Sequence, residues 1–222
     1  MMDNKKIALL AVYTALGVSL APFLWFHFIT TKAYPTQHFV NVLSGITIGP
    51  WWGAVAAIFI GTIRNMLGIG TLYAFPGGIP GAILVGLGYM VTRKAKNRFV
   101  KYSAAFLEPV GTVLIGGTFS LLIFAPLIGD VRLVGMLKEQ GVLNLLPVFW
   151  AGWAASSVPG SIIGYLIALS LDRLGVLPLL TETVKKAYIQ KTSISETIHR
   201  HRLYRSLLAL LSLQQLGKLT AR

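Results

Sequence analysis

No cysteine occurs among the 222 residues, and that single absence excludes disulfides, thiolate metal sites and thiol nucleophiles together. Histidine is scarce as well: of the 4 present, only His27 and His38 fall in the apolar part, too few for a typical zinc site. No G-x-x-x-x-G-K-[ST] turn is present, so the chain has no phosphate cradle of that kind and cannot hydrolyse ATP by that route. H-E-x-x-H and G-x-S-x-G are missing too, and Ser156-Ser157 beside Pro159 reads as the packing surface of a small-residue helix. These absences point away from an enzyme, and no metal or cofactor is expected. Acid is the last shortage: 7 Asp and Glu stand against 20 Lys and Arg, a formal charge of +13.

Apolar sequence is what the chain has in quantity. With 55% hydrophobic and 12% charged residues, it carries several apolar runs near the ~20-residue length that spans hydrocarbon. The expectation is an all-α, polytopic protein of the cell membrane. Lys5 and Lys6 flank an apolar segment from Ile7 to Ile29, long enough to remain in the bilayer as a first span. Further clear segments run from Ile79 to Thr92, Ser103 to Ile128 and Leu143 to Leu171. Arg93, Lys94, Lys96, Arg98 and Lys101 crowd one loop, and most of the remaining cations lie before Ile7 or after Asp172. The positive-inside rule puts these three regions, and both termini, in the cytoplasm. Charge placed beside spans meets anionic lipid headgroups first, which argues against nucleic acid as the partner.

The same rule decides the span count. If Val40 to Ile63 crossed once, the basic loop Arg93 to Lys101 would fall outside; if the chain turns back at Gly49-Pro50, the loop falls inside. Six segments follow, with a short second one from Phe39 to Gly49 that cannot cross ~30 Å as a straight helix. Outer loops are expected at Thr30–His38, Arg64–Gly78 and Gly129–Val142. Residues 1–177 then form the membrane domain and 178–222 a basic tail, in which Ser193 to Leu216 has the pattern of an amphipathic helix on the inner surface.

The most informative stretch is Val40 to Gly81, apolar enough for a membrane yet interrupted by Gly, Pro, Arg64, Asn41 and Asn65. Irregular backbone at membrane depth is tolerated only where protein shields it or a cavity receives it, so this stretch predicts a small-molecule site inside the bundle. Tyr34, Gln37, His38, Asn41, Arg64, Asn65, Tyr73, Trp150 and Trp153 all fall toward the outer half. Aromatic rings there can stack on a flat heterocycle while amides orient it; the same Tyr and Trp residues also suit an interfacial aromatic belt. Arg64 can donate into the pocket or reach out to the headgroups. Glu108, near the inner third of the membrane, needs a partner such as a helix end, an Arg or a Lys.

The run AYPTQHFVNVLSGITIGPWWGA, followed by RNMLGIGTLYAFPGGIPGA, resembles the ThiW family, substrate-binding subunits (S-components) of energy-coupling-factor (ECF) vitamin transporters. The resemblance extends over Ile7 to about Leu177. It implies a six-helix membrane fold, capture of a thiamine precursor such as hydroxyethylthiazole, and assembly with a transmembrane coupling subunit and two ATPases. Ala11 and Ala15 form an Ala-x-x-x-Ala pattern extended by Ala8 and Ser19, a small-residue face that lets another helix approach closely. S-components resemble one another in such a face, which implies contact with the coupling subunit there. A carrier working alone, driven by protons or ions through Glu108 and Arg64, is the competing reading.

Overall fold

The computed structural model of the protein describes residues 4–28, 31–177 and 179–181. The tail from 182 onward, with the amphipathic stretch expected there, lies outside the described residues. The described part is all-α apart from one small hairpin, and three of its helices are long and apolar enough to cross a membrane: Ala74–Thr92, Ser103–Ile128 and Val142–Arg173. Large apolar side chains such as Trp51, Met66, Val91, Ile123, Leu143 and Leu166 point outward, the arrangement hydrocarbon rewards and water does not.

The first helix, α1, runs over Asn4–Ser19 and not to Ile29 as the apolar run suggested. Pro22 explains the difference: it has no N–H to continue the ladder, and the chain leaves the helix through a turn in which Leu24 N–H still reaches back to the Leu20 carbonyl at 3.1 Å. Beyond it, β1 (Phe26–Phe28) pairs antiparallel with β2 (Thr31–Ala33), Phe26 opposite Ala33. Length alone could not distinguish this helix-plus-hairpin from one span.

Helix α2 (Pro35–Thr47) opens on proline, whose missing N–H costs nothing in a first turn, and buries every residue from Thr36 to Thr47. At 1.5 Å per residue its 13 residues span about 20 Å, so it is a buried inner helix shorter than the hydrocarbon thickness. It packs against α3 (Pro50–Met66), α4 (Ala74–Thr92) and α8 (Val142–Arg173). The corner between α2 and α3 is Gly49, with φ +88° and ψ 175°, a backbone state only glycine adopts readily; Pro50 then starts α3. This is the turn-back the charge argument required at Gly49-Pro50.

α4 starts at Ala74, five residues earlier than the Ile79 read from hydropathy, because Pro76 falls in a first turn where no N–H is needed. Pro80, however, sits inside the helix and leaves the Pro76 carbonyl without its i+4 donor. The cover comes from α6 (Ser103–Ile128), which follows the four-residue α5 (Arg98–Lys101). The bare α-carbon of Gly116 faces the Pro76 oxygen so closely that no Cβ would fit, and the Thr112 hydroxyl lies 3.0 Å from the Gly77 carbonyl. A C–H group set against a carbonyl in this way contributes little by itself, and the arrangement recurs where helices cross tightly.

The expected loop Gly129–Val142 contains a helix, α7 (Val131–Gln140), capped by Asp130, whose carboxylate accepts from the Leu133 N–H at 3.0 Å. An apolar core that includes Phe39, Val42, Leu43, Ile46, Ile60 and Val85 holds the helices together.

Candidate functional site

A cavity of about 350 Å³ opens among α2, α3, α4, α6, α7 and α8. On one side Arg64 and Gln37 form a rigid pair. The Arg64 guanidinium lies 3.9 Å over the ring of Tyr34 and donates from Nη1 to Gln37 Oε1 at 2.7 Å. Gln37 in turn donates from Nε2 to the Ala74 carbonyl at 3.1 Å, so α2 fixes an α3 cation against the start of α4. Arg64 is 1% exposed and does not extend to the headgroups.

Across the cavity Trp153 presents its ring beside Gly77, and a Cβ at Gly77 would come within 2.8 Å of that ring. The glycine is what leaves the indole room against α4. Phe149 packs on the other part of the same side chain, ring centroids 5.4 Å apart.

The floor is a buried polar cluster. His38 donates from Nδ1 to Glu108 Oε1 at 2.8 Å, and its Nε2 lies 3.1 Å from Ser156 Oγ. The same Glu108 oxygen takes the Asn41 amide at 3.1 Å and has the Thr112 hydroxyl within 2.7 Å. Its other oxygen accepts from Ser157 and, at 3.2 Å, from Ser161. Thr112 has one proton for two acceptors, so it serves either Glu108 or the Gly77 carbonyl at a given moment. The partner of Glu108 is thus His38 rather than the Arg, Lys or helix end expected from its depth. A carboxylate surrounded by donors fixes the imidazole so that Nδ1 carries hydrogen and Nε2 is left to Ser156.

At the mouth, the Tyr73 hydroxyl donates to Asp130 Oδ2 at 2.6 Å. Partial burial raises the Asp130 carboxyl, but the bonds from Tyr73 and from the Leu133 and Arg132 N–H groups, with the Arg132 charge, outweigh it and hold the group below the usual carboxylate range. Tyr73 moves the opposite way, pushed up by burial and by donating to that anion.

Of the residues singled out in the sequence, Tyr34, Gln37, His38, Arg64, Tyr73 and Trp153 line this cavity. Three do not. Asn41 lies behind the floor, bonded to Glu108; Asn65 donates to the carbonyls of Gly61 (2.7 Å) and Thr71 (3.0 Å) and ties down the loop after α3; Trp150 donates to Thr118 Oγ1 at 3.1 Å. Thr112, Ser156, Asp130, Arg132 and Leu133 line it and were not singled out. Ser156 reads in the sequence as helix packing, Asp130, Arg132 and Leu133 fall in an expected outer loop, and Thr112 is a polar residue at membrane depth.

Ala11 and Ala15 lie elsewhere, in a groove of about 440 Å³ bounded by Leu10, Thr14, Val18, Phe59 and Ile63. No residue of α1 reaches the first cavity. Among the described residues no group of three or more His, Asp or Glu is placed to hold a metal ion.

Long apolar helices, a fully buried short helix and an internal cavity with a few convergent polar groups define a membrane protein that handles a small molecule. The particular family is given by a family model, thiamine-precursor transporter protein (ThiW), which matches residues 7–174. The chain belongs to that family. No curated protein and no solved structure matches it.

Proposed function

We propose that the protein is the substrate-binding S-component of an ECF-type importer, capturing the thiamine precursor hydroxyethylthiazole for import driven by separate ATPases. The observation that carries the ligand reading is the convergence of one stacking ring, Trp153, with the hydrogen-bonding edges of His38, Gln37, Arg64 and Ser156 on a single cavity. Its volume, about 350 Å³, lies at the small end of the ~300–1,000 Å³ typical of ligand sites and suits one heterocycle. In this reading Trp153 stacks on the ring, Tyr34 and Tyr73 frame the entrance, and the polar groups orient the ligand. Asn41, Asn65 and Trp150 act at one remove, by holding the Glu108 cluster, the loop after α3 and the α6–α8 contact. No bond is made or broken and no cofactor is needed.

The coupling-subunit reading rests on α1. Ala8, Ala11, Ala15 and Ser19 are exposed along one side of it, a small-residue strip with an open groove beside it that a partner helix can enter. Lipid headgroups and the basic loops complete the surroundings, with both termini cytoplasmic. A bulky side chain should hold the partner away without touching the cavity. Ala15→Leu is expected to leave hydroxyethylthiazole binding by the purified protein within about twofold while abolishing co-purification with the coupling subunit and ATPases. Normal assembly by Ala15→Leu would remove this part of the proposal.

The buried His38–Glu108 pair under the cavity is the one observation favouring a carrier coupled to protons without partners. Uptake into vesicles lacking any ATPase decides between the two.

A further inference from the structure

We infer that Arg64 makes the cavity select by charge: it docks the hydrogen-bond acceptor of an uncharged heterocycle and rejects the same ring carrying a positive charge. This rests on the reading that the cavity binds a thiazole precursor, and it adds which form of such a ring is admitted.

Arg64 sits in the last turn of α3, where a long side chain ordinarily extends to the membrane surface. Here it turns inward, 1% exposed, clamped by Tyr34 and Gln37. Neither clamp is an anion. Among the described residues the ion pairs within 4.0 Å are His38–Glu108 at 2.8 Å and Lys101–Asp172 at 3.7 Å, so no carboxylate neutralises the guanidinium. Its Nε is buried with no hydrogen-bond partner among the described residues, although Arg64 lines the cavity. A buried N–H left without an acceptor is costly, and a small turn of the guanidinium toward the cavity lets a ligand oxygen or ring nitrogen remove that cost.

The lining itself carries two cations, Arg64 and Arg132, against one carboxylate, Asp130, and neither Asp130 nor Glu108 is paired with Arg64. Glu108 does not line the cavity, and its two oxygens already face His38, Asn41, Thr112, Ser157 and Ser161. Asp130 does line the mouth, but it is engaged by Tyr73 and by the α7 N-terminus and is followed by Arg132, a second cation on the rim. A unit positive charge anywhere within ~8 Å of the guanidinium, at an effective dielectric constant of ~20, is disfavoured by more than tenfold. The tyrosine and tryptophan rings would by themselves welcome a cation, so it is Arg64 that reverses the preference.

The test compares two probes of nearly equal shape, 4-methyl-5-(2-hydroxyethyl)thiazole and its N-methylthiazolium ion, by calorimetry on the full chain purified in detergent. Wild type should bind the neutral probe at least tenfold more tightly. N-methylation also adds a methyl group and removes a ring acceptor, so two variants separate charge from shape. Arg64→Lys should keep the preference, and Arg64→Met should bring it below about threefold, with Arg64→Gln taking its place if the Met variant does not fold. Equal binding of the two probes by wild type overturns the inference while leaving the substrate reading intact. A full tenfold preference persisting in Arg64→Met or Arg64→Gln also overturns it, because shape would then be the cause. Binding of neither probe by wild type defeats the substrate reading, and this inference with it.

Discussion

Replacing Glu108 should show how much the buried cluster contributes to folding. In Glu108→Ala the His38 Nδ1–H, the Asn41 amide, and the hydroxyls of Thr112, Ser157 and Ser161 lose their common acceptor in a site with no exposed surface. Thr112 recovers by turning to the Gly77 carbonyl at 3.0 Å; the others have no such alternative among the bonds described. Interhelical hydrogen bonds in membrane proteins average about 0.6 kcal/mol, so the set contributes about 2–3 kcal/mol. Removing one partner of a buried charged pair costs about 3–5 kcal/mol in soluble proteins, an upper bound here. Glu108→Gln is the informative contrast. Its amide oxygen can still accept from His38 and Asn41, and its NH₂ can face Ser157 and Ser161, whose hydroxyls rotate to accept; the expected loss is about 1 kcal/mol. For a chain of this size each kcal/mol moves the melting midpoint by ~2–4 °C. Thermal unfolding in detergent, followed by tryptophan fluorescence, should therefore place Glu108→Ala roughly 5–12 °C below wild type and Glu108→Gln a few degrees below. Equal midpoints for Glu108→Ala and wild type would refute the reasoning, since no buried donor would then have missed the carboxylate.

Tyr73→Phe removes the 2.6 Å bond to Asp130 and should let that carboxyl rise toward its ordinary value. Because the folded-state value is depressed, the stabilisation is present above the unfolded value of ~3.9 and disappears as pH falls through the folded one. Because Asp130 is partly solvated and screened, the stability gap between wild type and Tyr73→Phe is expected to be at most about 1 kcal/mol at neutral pH and to close below about pH 4, as measured by melting across a pH series. A single thiol introduced as Lys96→Cys, at an exposed position of the basic loop, should react with an impermeant maleimide only after the cells are opened. Labelling in intact cells would invert the topology.

Charge and the Gly-Pro corner carried the reading of the fold furthest. The demand that Arg93–Lys101 lie inside forced a turn at Gly49-Pro50, and that turn is present with a glycine-only backbone. The first segment was misjudged because hydropathy does not register what Pro22 does to a hydrogen-bond ladder, and Trp25 to Phe28 are as apolar in a hairpin as in a helix. For the site, the broken stretch from Val40 to Gly81 supplied Arg64 and Tyr73 to the cavity, because irregularity and cavity go together at membrane depth, and the expected first outer loop supplied Tyr34, Gln37 and His38. The α6 contribution and, apart from Trp153, that of α8 were illegible for a physical reason. Where a helix is apolar or small on every side, periodicity gives no phase, and Thr112 and Ser156 can be assigned to a face only once the neighbouring helices are known. Asn41 and Asn65 show the converse, polar side chains at membrane depth that serve protein partners and not the cavity.

The proline break in α4 bears on how the protein is made. A helix entering a bilayer ordinarily satisfies each backbone carbonyl within itself before it meets any neighbour. Pro80 denies α4 that self-sufficiency, and the cover for the Pro76 oxygen lies on α6, at Gly116. α4 gains that cover only once α6 lies alongside it, so the two helices, joined by the basic segment between them, are best regarded as packing together. A side chain at Gly116 is therefore expected to hold α4 and α6 apart, before any question of ligand arises.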